Sequence, residues 1–411
     1  SVLIQPAIDL AQKGFALTER EANLLNETRE DFLKHNSHPT AFTKDSPWKK
    51  GDILVQKELA QTLKLIQKQG QKAFYEGKNA QLLVSEMKRG NGIITLEDLK
   101  NYKTKERKAL QFDYKNHEII SMPLPSSGGI LLAQMLKMSS FENLEKYPQN
   151  SPEAVQVMVE AERRAFADRA EFMGDPDFIE DKTQMLISEE YLKNRWKNFS
   201  FEKATPSAEV GKIIAQPKES TETTHISIID KFGNAVAVTT TLNGLYGSKV
   251  VVKGGGYFLN NEMDDFSVKP GVPNMFGAVG GEANKIEPNK RMLSSMTPTI
   301  VLKNGKPYIV VGTPGGTTIP TSVYQSIVNV IDFKMTPSSA VNSAKFHHQW
   351  LPEVVFVEKN FPEKTLKILE QKNYKFEKRG GIGRTEMIVI DENGNATAVA
   401  DSRGDDSVAV E

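Results

Sequence analysis

Thr223-Thr224-His225 ends a polar, punctuated stretch and opens a run of β-branched residues. If the bond after Glu222 is cut, Thr223 carries a hydroxyl and a free α-amine on one residue, and that amine can serve as base for its own hydroxyl. A terminal amine titrates near ~8, so part of it is neutral at physiological pH. The start of a core strand is a rigid place for such a nucleophile. On pattern alone the same residues read more economically as an ordinary strand start, which leaves the chemistry open. Other reactive patterns are few. There is no Gly-x-Ser-x-Gly elbow, no phosphate-binding loop and no His-Glu-x-x-His. The absence of cysteine removes thiol nucleophiles, thiolate metal sites and disulfides. His347-His348 lies between Phe346 and Trp350. Adjacent side chains rarely converge on one ion, so a satisfied structural pair is expected there and no metal.

The elements that must hold Thr223 are legible in outline. In the first half, apolar residues recur at helical spacing from Val55 to Tyr75, with Gly77 as the expected stop. Ser151 and Pro152 cap a second helix, whose Val155, Met158, Val159 and Phe166 share a face. Residues 110–122 read as two short strands, and Pro125-Ser126-Ser127-Gly128-Gly129 leads into another apolar helix. Residues 204–222 read as an exposed, mobile linker. The chain then becomes strand-rich: 224–230 turns at 231–234 into 235–242, and further hairpins are expected around Asn304-Gly305 and Asn393-Gly394. Helices are expected at about 317–332 and 363–372. Strands with long apolar runs and helices around them predict stacked sheets covered by helices. The chain has 411 residues, 39% hydrophobic, with 52 basic against 52 acidic side chains. Such a neutral chain has no electrostatic pull toward nucleic acid, and no stretch is long and apolar enough to span a bilayer. Ser1 opens a segment that resembles neither a signal peptide nor an initiator region, so the start is expected to be internal to a longer product.

Several long motifs resemble, in order, the γ-glutamyltranspeptidase family of N-terminal-nucleophile hydrolases. They are Thr223-Thr224-His225-Ile226-Ser227-Ile228-Ile229-Asp230, Thr241-Leu242-Asn243, residues 259–266, Pro288-Asn289-Lys290-Arg291, Leu293-Ser294-Ser295-Met296, Thr313-Pro314-Gly315-Gly316 and residues 346–350. Gln5-Pro6-Ala7, residues 125–129 and Gly174-Asp175-Pro176-Asp177-Phe178 are similar too, so the resemblance covers essentially the whole chain.

The resemblance implies an α+β fold, a four-layer αββα sandwich. It implies self-cleavage between Glu222 and Thr223 into a heterodimer of 1–222, the C-terminal part of the large-subunit region, and 223–411, the small-subunit region. Thr223 would be the nucleophile, Thr241 would orient its amine, and Gly315 and Gly316 would offer N–H groups to the oxyanion. Asn243, Glu262 and Asp265 would hold the substrate α-ammonium; Ser294 and Ser295 would donate to its α-carboxylate. The implied substrates are glutathione and other γ-glutamyl compounds, with water, amino acids or peptides as acceptors, without metal or organic cofactor, in the periplasm or outside the cell. Alternatives are a related amide acylase of the β-lactam side-chain type, or an inactive fragment. Two departures stand out. The family's N-terminal stretch, including an arginine that pairs with the α-carboxylate, has no counterpart here. Residues 270–291 resemble a lid, with Phe276 where many bacterial members carry tyrosine, so the lid is expected to close by packing and open more readily.

Overall fold

A computed structural model describes residues 2–211, 223–267, 269, 272 and 281–410. The chain divides into two compact units, Ser1–Glu106 with Leu245–Asn261, and Arg107–Gly244 with Glu262–Glu411. The first unit is mainly helical. Its helix Lys57–Gln69 ends at Gly70, where φ is +65°. The sequence suggested a run to Gly77, but that glycine instead opens the helix Gly77–Arg89. A glycine that tolerates positive φ ends a helix wherever it first occurs in register, and Gly70 comes first. Phe32, Phe42, Leu54 and Val251 form a core within this unit, with Phe42 and Phe258 rings 4.4 Å apart.

The second unit holds the strands. In chain order they and their helices are β1 (Leu110–Tyr114), β2 (His117–Ser121), α1 (Gly128–Ser140), α2 (Pro152–Phe172), β3 (Thr224–Ile229), β4 (Ala235–Thr240), β5 (Thr299–Lys303), β6 (Lys306–Gly312), α3 (Thr318–Ile331), β7 (Phe346–His347), β8 (Val355–Glu358), α4 (Glu363–Glu370), β9 (Phe376–Arg379), β10 (Glu386–Ile390) and β11 (Ala396–Val399). The main sheet is six-stranded and antiparallel throughout, in the order β11-β10-β6-β5-β2-β1. Its hairpins turn where the sequence predicts, with Asn304 and Gly305 both at positive φ. On one face lie α1 and α3, with α2 behind α1; on the other lies the hairpin β3–β4, packed across β6 and β10. The result is an α+β sandwich.

α1 buries nearly every residue, as its all-round apolar sequence requires. Ser151 caps α2 by accepting the Ala154 N–H, and Pro152 occupies the first turn. α2 is buried from Ala154 to Ala170 although it carries Glu160, Glu162, Arg163, Arg164, Asp168 and Arg169. These charges explain a second difference from the sequence reading. Of the expected exposed linker, residues 204–211 are packed in place. Thr205 accepts from Arg164 Nη2 (3.1 Å), and Ser207 accepts from Arg163 Nη1 (2.6 Å) while donating to the Trp350 carbonyl (2.7 Å). The segment is polar because buried guanidinium groups need acceptors. Residues 212–222 lie outside the described residues. A third sheet, β9-β8-β7, was not anticipated.

The hairpin β3–β4 has an inverted polarity. Register pairs Thr224 with Thr240, His225 with Thr239, Ile226 with Val238 and Ile228 with Val236. His225 is turned inward and buried. Ile226, Ile228, Val236 and Val238 form an aliphatic ladder on the outer face, each 44–52% exposed.

Candidate active site

The hairpin register sets the centre of the site. Thr224 and Thr240 are paired, so Thr223 and Thr241 meet one step beyond. The Thr223 hydroxyl lies 3.4 Å from that of Thr241, which accepts the Asn243 N–H at 2.8 Å. Asn243 itself is buried and sits at φ +71°. Beneath Thr223, His225 Nδ1 meets Thr239 Oγ1 at 2.8 Å and Nε2 meets Ser227 Oγ at 3.1 Å. Burial pulls the His225 pKa down to about 4, so the imidazole is a neutral brace.

Thr223 and Thr241 line a small pocket that opens to solvent. Gly316 and Thr317 form one wall at the start of α3. Gly315 and Gly316 have φ of +142° and +58°, and the Thr318 N–H and hydroxyl both donate to the Gly315 carbonyl, at 3.1 and 2.8 Å. That arrangement turns the two glycine carbonyls into the helix and leaves their N–H groups without a bond among the described residues. Only glycine is comfortable here, because a Cβ on Gly315 would overlap the Thr318 hydroxyl. Thr317 donates to Gln349 Oε1 at 2.5 Å, and His347 Nε2 meets the same oxygen at 2.8 Å. His347 Nδ1 meets the Thr321 hydroxyl at 2.9 Å. The His347-His348 motif thus braces the glycine turn from behind. His348 hands its N–H to Glu162 and places Nδ1 on the Val354 carbonyl.

Ser294, Ser295 and Asp265 also line the pocket. The motifs singled out in the sequence are stitched together to make it. Ser127 N–H and hydroxyl both donate to the Ser294 carbonyl at 2.8 Å, and the Ser294 N–H donates to Pro125. Asn284 donates to the Asp265 carbonyl (2.7 Å) and accepts the Leu293 N–H (3.0 Å), fixing the acidic turn beside the serines. Asp175 accepts the Arg291 N–H at 2.8 Å. Desolvation, with Glu262 nearby, pushes Asp265 up to about 7, against the pull of Arg169. Burial also raises Glu262, which lies half-buried in the same turn. Phe276 and Glu222 lie outside the described residues.

Of the residues expected from sequence, Thr223, Thr241, Asn243, Asp265, Ser294, Ser295 and Gly316 line one pocket; Glu262 and Gly315 adjoin it. Thr317 and Ile319, which also line the pocket, were missed, and so were two further contributors. Arg169 enters the lining from α2, and Gln349 supports Thr317. A run of charges inside a helix with no polar face was the available signal for the first.

The family model for gamma-glutamyltranspeptidase matches residues 1–411. The chain belongs to the γ-glutamyltranspeptidase family. Among its relatives, the glutathione hydrolase proenzyme of Escherichia coli (strain K12) is 44% identical over 408 residues, covering 99% of this chain and 70% of that protein. The protein of the same name from Pseudomonas aeruginosa is 41% identical over 413 residues, covering 98% of this chain and 72% of the other. The chain thus spans about 70% of the length of these γ-glutamyltranspeptidase relatives. A cephalosporin acylase from Bacillus halodurans shares the fold, with a TM-score of 0.83 at 23% identity, covering 98% of this chain and 73% of that one. Among the described residues no helix is long and apolar enough to cross a membrane.

Proposed function

We propose that this chain is a self-processing γ-glutamyltransferase with glutathione hydrolase activity. It is cut between Glu222 and Thr223, and residues 1–222 stay with 223–411 as a heterodimer. The freed Thr223 amine then takes the proton of its own hydroxyl. The oxygen attacks the γ-glutamyl amide, the glycine turn receives the oxyanion, and the amine of the leaving group departs with a proton. Water releases glutamate from the resulting ester, or an amino acid or peptide takes the acyl group. No metal or organic cofactor enters this reaction. A periplasmic or extracellular setting belongs to the same reading, and a chain without cysteine suits an oxidising compartment. The observation that carries the proposal is the convergence, in one pocket, of a threonine pair at 3.4 Å, a carboxylate and amide for an ammonium, and a hydroxyl pair for a carboxylate. Turnover of a γ-glutamyl anilide by the cut protein, with a γ-glutamyl ester trapped on the fragment beginning at Thr223, tests it. An ester on any other residue, or no turnover by cut protein, would refute it.

Asp265 gives this reading a pH signature. Only the ionised carboxylate holds an ammonium, and the empty pocket keeps its proton up to about pH 7. Affinity for L-glutamate should therefore be full above that pH and fall as pH drops through it, by up to about tenfold per unit between pH 6 and 5. Asp265→Asn should bind weakly with a flat profile over that range. A calorimetric titration series measures this, and an unchanged slope in the Asn variant would count against Asp265.

Gln349 gives a second signature. Gln349→Leu removes the acceptor of Thr317 without touching the pocket. Turnover should fall by about one order of magnitude, because an oxyanion donor drifts from its position. KM should stay within about twofold, since ground-state contacts are spared. Thr317→Val should cost the same, the double variant no more, and Thr317→Ser nearly nothing. Additive losses would show that the two residues act separately.

A further inference from the structure

Two carboxyl groups inside α2 are met by opposite charge. Glu160 lies 2.5 Å from Arg164 and 3.4 Å from Arg163, and Asp168 lies 2.9 Å from Arg195. Glu162 has no such partner among the described residues, and none of its surface is exposed. Burial holds its carboxyl well above the usual carboxylate range, so it sits in the core as a neutral acid. A buried polar group is costly to the fold unless hydrogen bonds satisfy it. What Glu162 satisfies is backbone. Its Oε2 accepts the His348 N–H at 2.8 Å, and its Oε1 lies 3.5 Å from Gln325 Nε2. Gln325, on α3, in turn clamps the Phe346 backbone. Its Oε1 accepts the Phe346 N–H at 3.2 Å, and its Nε2 donates to the Phe346 carbonyl at 2.7 Å.

The two side chains thus hold the residues on either side of His347. β7 is two residues long, and its pairing with β8 ends at His347. The next N–H along the chain, that of His348, is the one Glu162 takes. His347 stands between two fixed backbone positions, and its ring reaches Thr321 at 2.9 Å and Gln349 at 2.8 Å. Gln349 accepts from Thr317, which lines the pocket beside Gly316. Resting on the proposed function, we propose that Glu162 is a positioning residue for the glycine turn. By holding the His348 N–H it sets where His347 and Gln349 stand, and through Thr317 it sets where the N–H groups of the turn point. Glu162 touches no reacting atom. It acts by keeping donors in place, and small displacements of such groups cost rate rather than binding.

The test measures kcat and KM for a γ-glutamyl anilide on cut protein, with active sites counted by the ester trapped on Thr223. Glu162→Gln keeps an acceptor of the same shape for the His348 N–H, so both constants should stay within about twofold of the unmutated protein. Glu162→Leu leaves that N–H buried and unpaired. Its kcat per active site should fall by about fivefold to tenfold while KM stays within about twofold. Combined with Gln349→Leu, the double variant should lose no more than the worse single variant, because both act through Thr317. A residue that merely fills the core would lower Tm and leave kcat per active site unmoved. That result in Glu162→Leu, or additive losses in the double variant, would overturn the assignment and leave the proposed function standing. So would a tenfold loss of kcat in Glu162→Gln, which keeps the proposal open to refutation should the leucine variant fail to fold. Unmutated protein that is cut yet turns over no γ-glutamyl anilide would sink the proposed function and this inference with it.

Discussion

Thr223→Ala is expected to leave the 45.8 kDa chain in one piece, whereas the parent resolves into residues 1–222 and 223–411. In the proposed function the scissile bond lies directly before the residue whose hydroxyl attacks it, and the Thr241 hydroxyl accepts from the Thr223 hydroxyl at 3.4 Å. Alanine removes the oxygen and leaves the hairpin register intact, because the pairing from Thr224 onward uses backbone groups. Turnover of γ-glutamyl amides should fall by at least about 10³, since one change removes both the maturation nucleophile and the acyl carrier. Thr223→Ser keeps the hydroxyl and the amine, so it should mature and turn over, more slowly. Intact mass spectrometry of the three proteins decides the matter. A split Thr223→Ala chain would mean that another group, or a protease, makes the cut.

Gly312→Ala should be a damaging small change outside the pocket. Gly312 ends β6 beneath the imidazole of His225, and a methyl group there would overlap the ring. The ring cannot swing aside cheaply. Its two nitrogens are held by Thr239 and Ser227, and the Ser227 hydroxyl donates to the Glu386 carbonyl at 3.1 Å. Relief must come from lifting the hairpin off β6 and β10, and that displaces Thr223, two residues from His225. A destabilisation of about 3 kcal/mol is the scale for overpacking of a tight core contact. Maturation should slow beyond what that loss of stability implies, because the lifted element carries the nucleophile. Thermal unfolding and the rate of cleavage measure the two effects. The companion variant Gly312→Ala with His225→Ser should recover much of the lost stability. A Gly312→Ala protein with parental Tm would show that the contact yields freely.

Legibility from sequence followed the range of the forces involved. The hairpins at 304–305 and 393–394, the Ser151 cap and α3 were visible because two-residue turns and caps are local chemistry. The pocket residues carried on motifs were visible for a different reason, their resemblance to a family. Sheet β9-β8-β7 was not, because its strands are short, one of them two residues long, and β8 and β9 pair in parallel across the intervening α4. The stretch 204–211 was read by its polarity, which points to solvent unless one knows that Arg163 and Arg164 are buried beside it. Arg169 escaped for the same reason. Its helix has no polar face against which an inward charge would stand out.

The aliphatic ladder on the outer face of β3–β4 bears on how the protein behaves in a tube. Ile226, Ile228, Val236 and Val238 make a cohesive stripe open to solvent. Colloidal stability must then come from net charge, and the sequence pI of about 7.0 removes it at neutrality. Turbidity should peak near pH 7 and decline toward pH 9, and added salt should worsen it by strengthening apolar cohesion. Val238→Thr with Ile226→Thr should flatten that peak while leaving the inward-facing brace of His225 undisturbed. Buffer choice, before any question of catalysis, will govern whether concentrated solutions of this chain stay clear.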